Sequence, residues 1–252
     1  MNAAGNASGN ASGAVAAIAN VTFRALLGRR RTLLMLLVAG LPVLLGLIVR
    51  ADQERPRALV GALEGLIITS VLPLISLIFG TAALGSELDD GTAVHILTKP
   101  IPRWTIVIPK LLVAAGLTAV MLVPSTILAG ILIGGTGSRE IGITLAFALA
   151  ALVGSFVYSA IFVALSAATS RGLVIGLGYS LIWEGILAGA LPGTQLFSVR
   201  EYLRGIIAAI GPKDTLVSVV GAQGFLLAAV AFVVVTTFAC IRLARFEIRA
   251  AD

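Results

Sequence analysis

Long apolar runs separated by short polar segments make up almost the whole chain. The runs near residues 33–49, 66–84, 111–133, 141–164, 173–191 and 217–241 approach or exceed the about 20 residues that a helix needs to cross a bilayer. They predict six membrane-spanning helices in one membrane domain, 14–252. Pro42, Pro73 and Pro124 fall inside these runs and predict bends, because proline lacks the backbone donor and its ring clashes with the preceding turn. Three glycine pairs at four-residue spacing, Gly61 and Gly65, Gly172 and Gly176, Gly185 and Gly189, are expected to let helices approach closely.

The segments outside the runs carry patterns of their own. Residues 1–13 repeat Asn, Ala, Ser and Gly, with nothing to bury, and read as a disordered tail. From Ala14 to Gly28 a helical pattern too short to span precedes Arg29, Arg30 and Arg31, which suits a helix lying on the inner membrane face. Ser198 and Glu201 have the spacing of a capping box, and Val199, Tyr202, Leu203, Ile206, Ile207 and Ile210 recur along one helical face. The prediction is an amphipathic helix over 198–210, resting on the outer membrane interface with Arg200, Glu201 and Arg204 off the apolar stripe.

Composition agrees with an integral membrane protein. Of 252 residues 58% are hydrophobic and only 12% charged, outside the balance of a soluble domain. The net charge of +6 does not imply nucleic acid, since the basic residues sit at the ends of apolar runs and form no stripe with interleaved aromatics. With the N-terminus inside, eleven of the 18 Lys and Arg fall in inner segments and seven in outer ones; basic residues favour the cytoplasmic side, so both termini are expected there. The lone cysteine, Cys240, and lone histidine, His95, are too few for a metal site or a histidine-based nucleophile.

Two polar features stand out. Glu184, beside Trp183, lies well inside an apolar run, where an ionised carboxylate costs roughly 2.5–3.5 kcal/mol unless it faces water or protein partners. These two residues are candidates for a transport pathway, with a helix-to-helix hydrogen bond as the alternative use of the acid. Glu64, near the outer end of its run, is expected to reach water. The second feature is the loop 86–110. Asp89, Asp90 and Gly91 suggest a turn, Thr92 can cap a short helix through Thr98, and Pro100 and Pro102 end it. Trp104 suits the membrane interface.

Glu87, Gly91, Thr92, Leu97, Lys99, Pro100, Ile101, Arg103 and Lys110, in that order and spacing, resemble the loop between the second and third spans of ABC-2 type permeases, the membrane subunits of ATP-binding-cassette exporters. The resemblance implies an all-α, six-span bundle of the type V exporter kind, with an N-terminal interfacial helix and both termini cytoplasmic. It implies that Thr92 to Thr98 is a coupling helix docking on a cytoplasmic ATPase, with Glu87, Asp90, Gly91, Thr92, His95, Leu97, Lys99, Pro100 and Arg103 serving that contact. The chain has no Gly-x-x-x-x-Gly-Lys-Ser/Thr phosphate loop. ATP and Mg are therefore expected on the partner, present in two copies beside a second permease, identical or homologous. The expected setting is a cell membrane, specifically a bacterial plasma membrane.

The function implied is export of a hydrophobic or amphipathic substrate such as a drug, lipid or peptide, without catalysis by this chain. Two alternatives share features with it. An ATPase-linked assembly or sensor subunit would have the same architecture. A metal-dependent intramembrane lipid enzyme would use Glu87, Asp89 and Asp90, but Val94 after Ala93 and the absence of a later aspartate pair depart from the phosphatidyltransferase pattern.

Overall fold

The computed structural model describes residues 3–49, 55–89, 102–169, 171–187, 194–213 and 215–249. Among these residues the architecture is entirely helical. The order is α1 (Ala3–Leu26), α2 (Arg29–Val49), α3 (Arg55–Ala62), α4 (Leu72–Asp89), α5 (Trp104–Gly134), α6 (Ser138–Ala168), α7 (Gly172–Gly178), α8 (Val199–Ile210) and α9 (Gly224–Arg249). Two π-helical segments, Leu63–Val71 and Tyr179–Leu187, continue α3 into α4 and extend α7.

Among the described residues five stretches are long and apolar enough to cross a membrane: Thr32–Val49, Leu59–Gly85, Trp104–Gly134, Ser138–Ala168 and Gly221–Ala244. Within the run expected at 173–191 the described part is a shorter apolar helix, Gly172–Ile186, and residues 188–193 lie outside those described. The helix α1 begins at Ala3, inside the stretch expected to be an unstructured tail. Four alanines favour helix there, while three glycines oppose it, and local propensity does not account for this first part of α1.

The bend expected at Pro73 takes a definite form. The helix from Arg55 to Asp89 widens to π geometry over Leu63–Val71 just before the proline. A proline ring collides with the carbonyl four residues earlier, and a wider turn relieves that collision without breaking the helix. The hydroxyls of Thr69 and Ser70 donate to the carbonyls of Glu64 and Gly65, each at 3.0 Å.

The core lies among α4, α5 and α6, whose facing side chains include Phe79, Leu111, Phe147, Tyr158 and Phe162, all at most 1% exposed. Small residues set the helix spacing there. A Cβ at Gly80 would stand 2.8 Å from the Cβ of Phe162, and one at Gly176 would strike Leu77. Gly172 is likewise packed, against Ser166. The pair Gly61 and Gly65 behaves otherwise, since neither has any neighbour within 4 Å of a Cβ position. Close approach is therefore not seen there among the described residues: four-residue spacing marks a face, and what meets that face is a separate matter.

The helix α8 departs most from its sequence reading. Its boundaries agree with those expected, but apart from the exposed Ile210 its apolar stripe packs against protein. Val199, Tyr202, Leu203, Ile206 and Ile207 are all buried inside the protein. Pro212, just past its C-terminus, packs 3.1 Å from the Cβ position of Gly142, and Leu203 packs 2.7 Å from that of Gly154. These two sites on α6 are twelve residues apart, about 18 Å along a helix, so α8 runs beside α6 and enters the bundle N-terminus first. Where α8 crosses the start of α9, Gly205 and Gly224 bring backbone against backbone, with Cβ positions facing the carbonyls of Gly221 and Tyr202.

Candidate functional site

Three carboxylates, Glu184, Glu201 and Glu64, gather at α8. At its N-terminus the carboxylate of Glu184, 2% exposed, accepts from the hydroxyl of Ser198 at 2.7 Å and the backbone N–H groups of Val199 at 2.8 Å and Arg200 at 3.2 Å. The phenol of Tyr179 donates to the same carboxylate at 2.8 Å. A helix N-terminus exposes unpaired N–H groups and the positive end of the helix dipole, so a buried carboxylate there is satisfied without a cation. Glu184 thus joins the segment Tyr179–Leu187 to α8. Trp183 sits beside this joint, its indole N–H donating to the carbonyl of Phe197 at 3.4 Å.

Ser198 caps the helix by accepting from the N–H of Glu201 at 3.3 Å, as its sequence position suggests. The reciprocal half of the capping box is absent. The Glu201 carboxylate turns instead toward the segment before α9, accepting from the Ser218 hydroxyl and the Val219 N–H, each at 2.8 Å. Arg204 pairs with its other oxygen at 3.2 Å. Glu201 is consequently 5% exposed, not the solvated residue its place off the stripe implied.

The third carboxylate is Glu64, in the π-helical segment ahead of α4. Arg200 Nη2 lies 3.2 Å and Arg204 Nε 3.1 Å from its Oε1. Side-chain exposures of 27%, 29% and 15% for Arg200, Arg204 and Glu64 leave this group partly shielded from water. Glu64, expected from its position to reach water, is instead held largely by these two arginines. The available signal was the four-residue spacing of Arg200 and Arg204, which puts both guanidinium groups on one helical face in a chain with few acids.

An aromatic chain leads from this site into the core. Tyr179 meets Phe162 edge to face at 6.5 Å between ring centroids, and Phe162 stacks with Tyr158 at 6.1 Å.

At the opposite end of the bundle the two arms of the loop 86–110 are fastened together. Lys110, only 1% exposed, donates from Nζ to the carbonyl of Ala83 at 2.9 Å, joining α5 to α4. Ser166 on α6 donates to the carbonyl of Thr81 at 3.3 Å. Thr105 donates to the carbonyl of Pro102 at the start of α5. Trp104 is half exposed there, as suits an interfacial residue. Of the loop residues singled out by sequence, the backbone at Glu87 continues α4 and Arg103 immediately precedes α5. Asp90, Gly91, Thr92, His95, Leu97, Lys99 and Pro100 lie outside the described residues. Among the described residues no group of three or more His, Cys, Asp or Glu could hold a metal ion.

A family profile described as ABC-2 family transporter protein matches residues 2–245. No curated protein matches the chain. The match runs from α1 into α9 and takes in both the clasp around α8 and the fastened arms of the loop. The chain belongs to the ABC-2 family of transporter proteins.

Proposed function

We propose that the chain is the permease subunit of an exporter for hydrophobic or amphipathic molecules, driven by ATP hydrolysed on a separate cytoplasmic subunit. Two such ATPase subunits and a second permease, identical or homologous, complete the transporter. Both termini and the loop 86–110 face the cytoplasm, and the run 173–191 is one of six spans. Thr92 to Thr98 forms the helix that docks on the ATPase, with Glu87 and Arg103 at the roots of that contact.

One observation carries this reading. A single helical rod runs from Arg55 to Asp89, with the loop 86–110 at one end and Glu64, bound to Arg200 and Arg204 of α8, near the other. Lys110 and Ser166 tie that rod to α5 and α6 beside the loop. A push on the loop therefore moves α4 with its neighbours and displaces Glu64, and with it α8. In this scheme α8 is the cap on the exit side, and Glu184 and Trp183 act on the pathway by holding its N-terminus.

The test is charge reversal at either root. Glu87→Lys and Arg103→Glu are each expected to leave the bundle folded and bound to the ATPase while hydrolysis no longer drives export. Export per ATP equal to that of the unaltered chain in both variants would count against the assignment.

A further inference from the structure

The face of the bundle formed by α1, α2 and α5 holds a groove of about 810 Å³, lined by apolar side chains except for Thr32 and Ser125. It begins at Phe23 and Leu27, beside the turn between α1 and α2, and ends near Val43 and Leu128. Along α2 it extends from Thr32 to Val43, and along α5 from Val113 to Leu128, which at 1.5 Å per residue is roughly 16–22 Å. One leaflet of a bilayer contributes about 15 Å of hydrocarbon. The groove therefore has the depth of one leaflet.

Two glycines keep it open. Glycine inside a helix costs about 1 kcal/mol relative to alanine, and in membrane bundles close helix approach is the usual compensation. Gly46 on α2 fits that rule, since a Cβ there would stand 3.0 Å from Leu132. Gly40 on α2 and Gly116 on α5 do not: both line the groove, and neither has any atom within 4 Å of a Cβ position. Their missing side chains leave space instead of admitting a neighbouring helix. The walls are held at this width by the hydroxyl of Ser125, which donates to the carbonyl of Ala39 across the groove floor.

The groove ends beside the α1–α2 turn, where the sequence is rich in arginine. Arg24 is exposed one residue from Phe23, and α2 opens with Arg29, Arg30 and Arg31. No acidic residue occurs before Asp52. A basic cluster at a membrane surface attracts anionic headgroups by about 1 kcal/mol per charge. An apolar slot one leaflet deep, ending beside a turn with this sequence, matches a phospholipid with an acyl chain in the slot and a negative headgroup at the level of the turn. We propose that this groove is a binding site for one anionic phospholipid, which seats α1 against the bundle. The proposal does not depend on the transport reading above.

The experiment uses the full chain, extracted in mild detergent and equilibrated with phosphatidylglycerol or phosphatidylcholine of identical acyl chains. Retained lipid is counted by native mass spectrometry. The unaltered chain is expected to hold one phosphatidylglycerol about tenfold more tightly than phosphatidylcholine. Gly40→Leu with Gly116→Leu fills the slot and should weaken phosphatidylglycerol binding by about tenfold, while Gly61→Leu, at an exposed glycine with equally open surroundings outside the groove, should leave it unchanged. Arg24→Gln combined with glutamine at 29, 30 and 31 should abolish the preference between the two lipids. Equal retention of both lipids by the unaltered chain would overturn the proposal, as would full retention by the filled variant. Disulfide cross-linking between two chains through Leu36→Cys would place a second copy in the groove and overturn it too.

Discussion

The carboxylate of Glu184 accepts the backbone N–H of Val199 at 2.8 Å, so that the one acid buried in an apolar run ends against the first turn of a helix that enters the bundle. The relationship explains how a carboxyl group is accommodated in so buried a place. It has four donors, two of them backbone groups that would otherwise be orphaned at the start of α8. Removing the carboxylate leaves several buried donors without an acceptor at once. Glu184→Ala is expected to destabilise the protein by about 3–5 kcal/mol, read as thermal unfolding in detergent. Glu184→Gln keeps an acceptor oxygen and should lose about 1–2 kcal/mol.

The grip of Glu64 on α8 predicts energetic coupling. A double-mutant cycle between Glu64→Gln and Arg204→Gln should give about 1 kcal/mol of interaction, falling as salt is raised, because the groups are only partly shielded. Purely additive losses would mean that the ion pair contributes no coupling.

The crossing of α8 and α9 predicts steric sensitivity at two glycines. Gly205→Ala and Gly224→Ala each drive a methyl group into backbone, which cannot yield as a flexible side chain can, and should cost about 1–3 kcal/mol. Gly65→Ala, with open surroundings in the same structure, should be neutral or slightly stabilising. Limited proteolysis of the segment between α8 and α9 would report the same loosening.

Lys110 predicts a defect at the other end of the rod. Lys110→Met preserves the length of the side chain but removes the donor to the Ala83 carbonyl. The expected loss of stability is about 1–2 kcal/mol, accompanied by weaker export at unchanged ATPase binding. Export at the level of the unaltered chain would show that the tie between α4 and α5 has no part in transmission.

Much of this arrangement was legible in the sequence, for identifiable reasons. The helical period of Val199 to Ile210 and the cap at Ser198 are local features, and local features fixed the bounds of α8. What that apolar stripe would meet is a long-range fact. A stripe suited to a membrane surface and one suited to the flank of α6 have the same spacing. For the same reason Gly61 and Gly65 could not be told from Gly172 and Gly176, although only the second pair packs tightly. Glu64 was misjudged because its position near the end of an apolar run is compatible with water, and its two arginines lie 136 and 140 positions away in sequence. Pro73 announced a bend, but nothing in the pattern of Tyr179 to Leu187 announced a second π-helical segment. The docking helix expected at Thr92 to Thr98 lies outside the described residues.

The most direct test of the account is purification of the unaltered chain from its native membrane, followed by assay of the purified material for ATP hydrolysis and, after reconstitution, for ATP-dependent release of hydrophobic molecules. The account predicts that a phosphate-loop ATPase chain is retained and that hydrolysis and release rise together. Recovery of the chain in active form without any ATPase, or release that continues when ATP is removed, would contradict it.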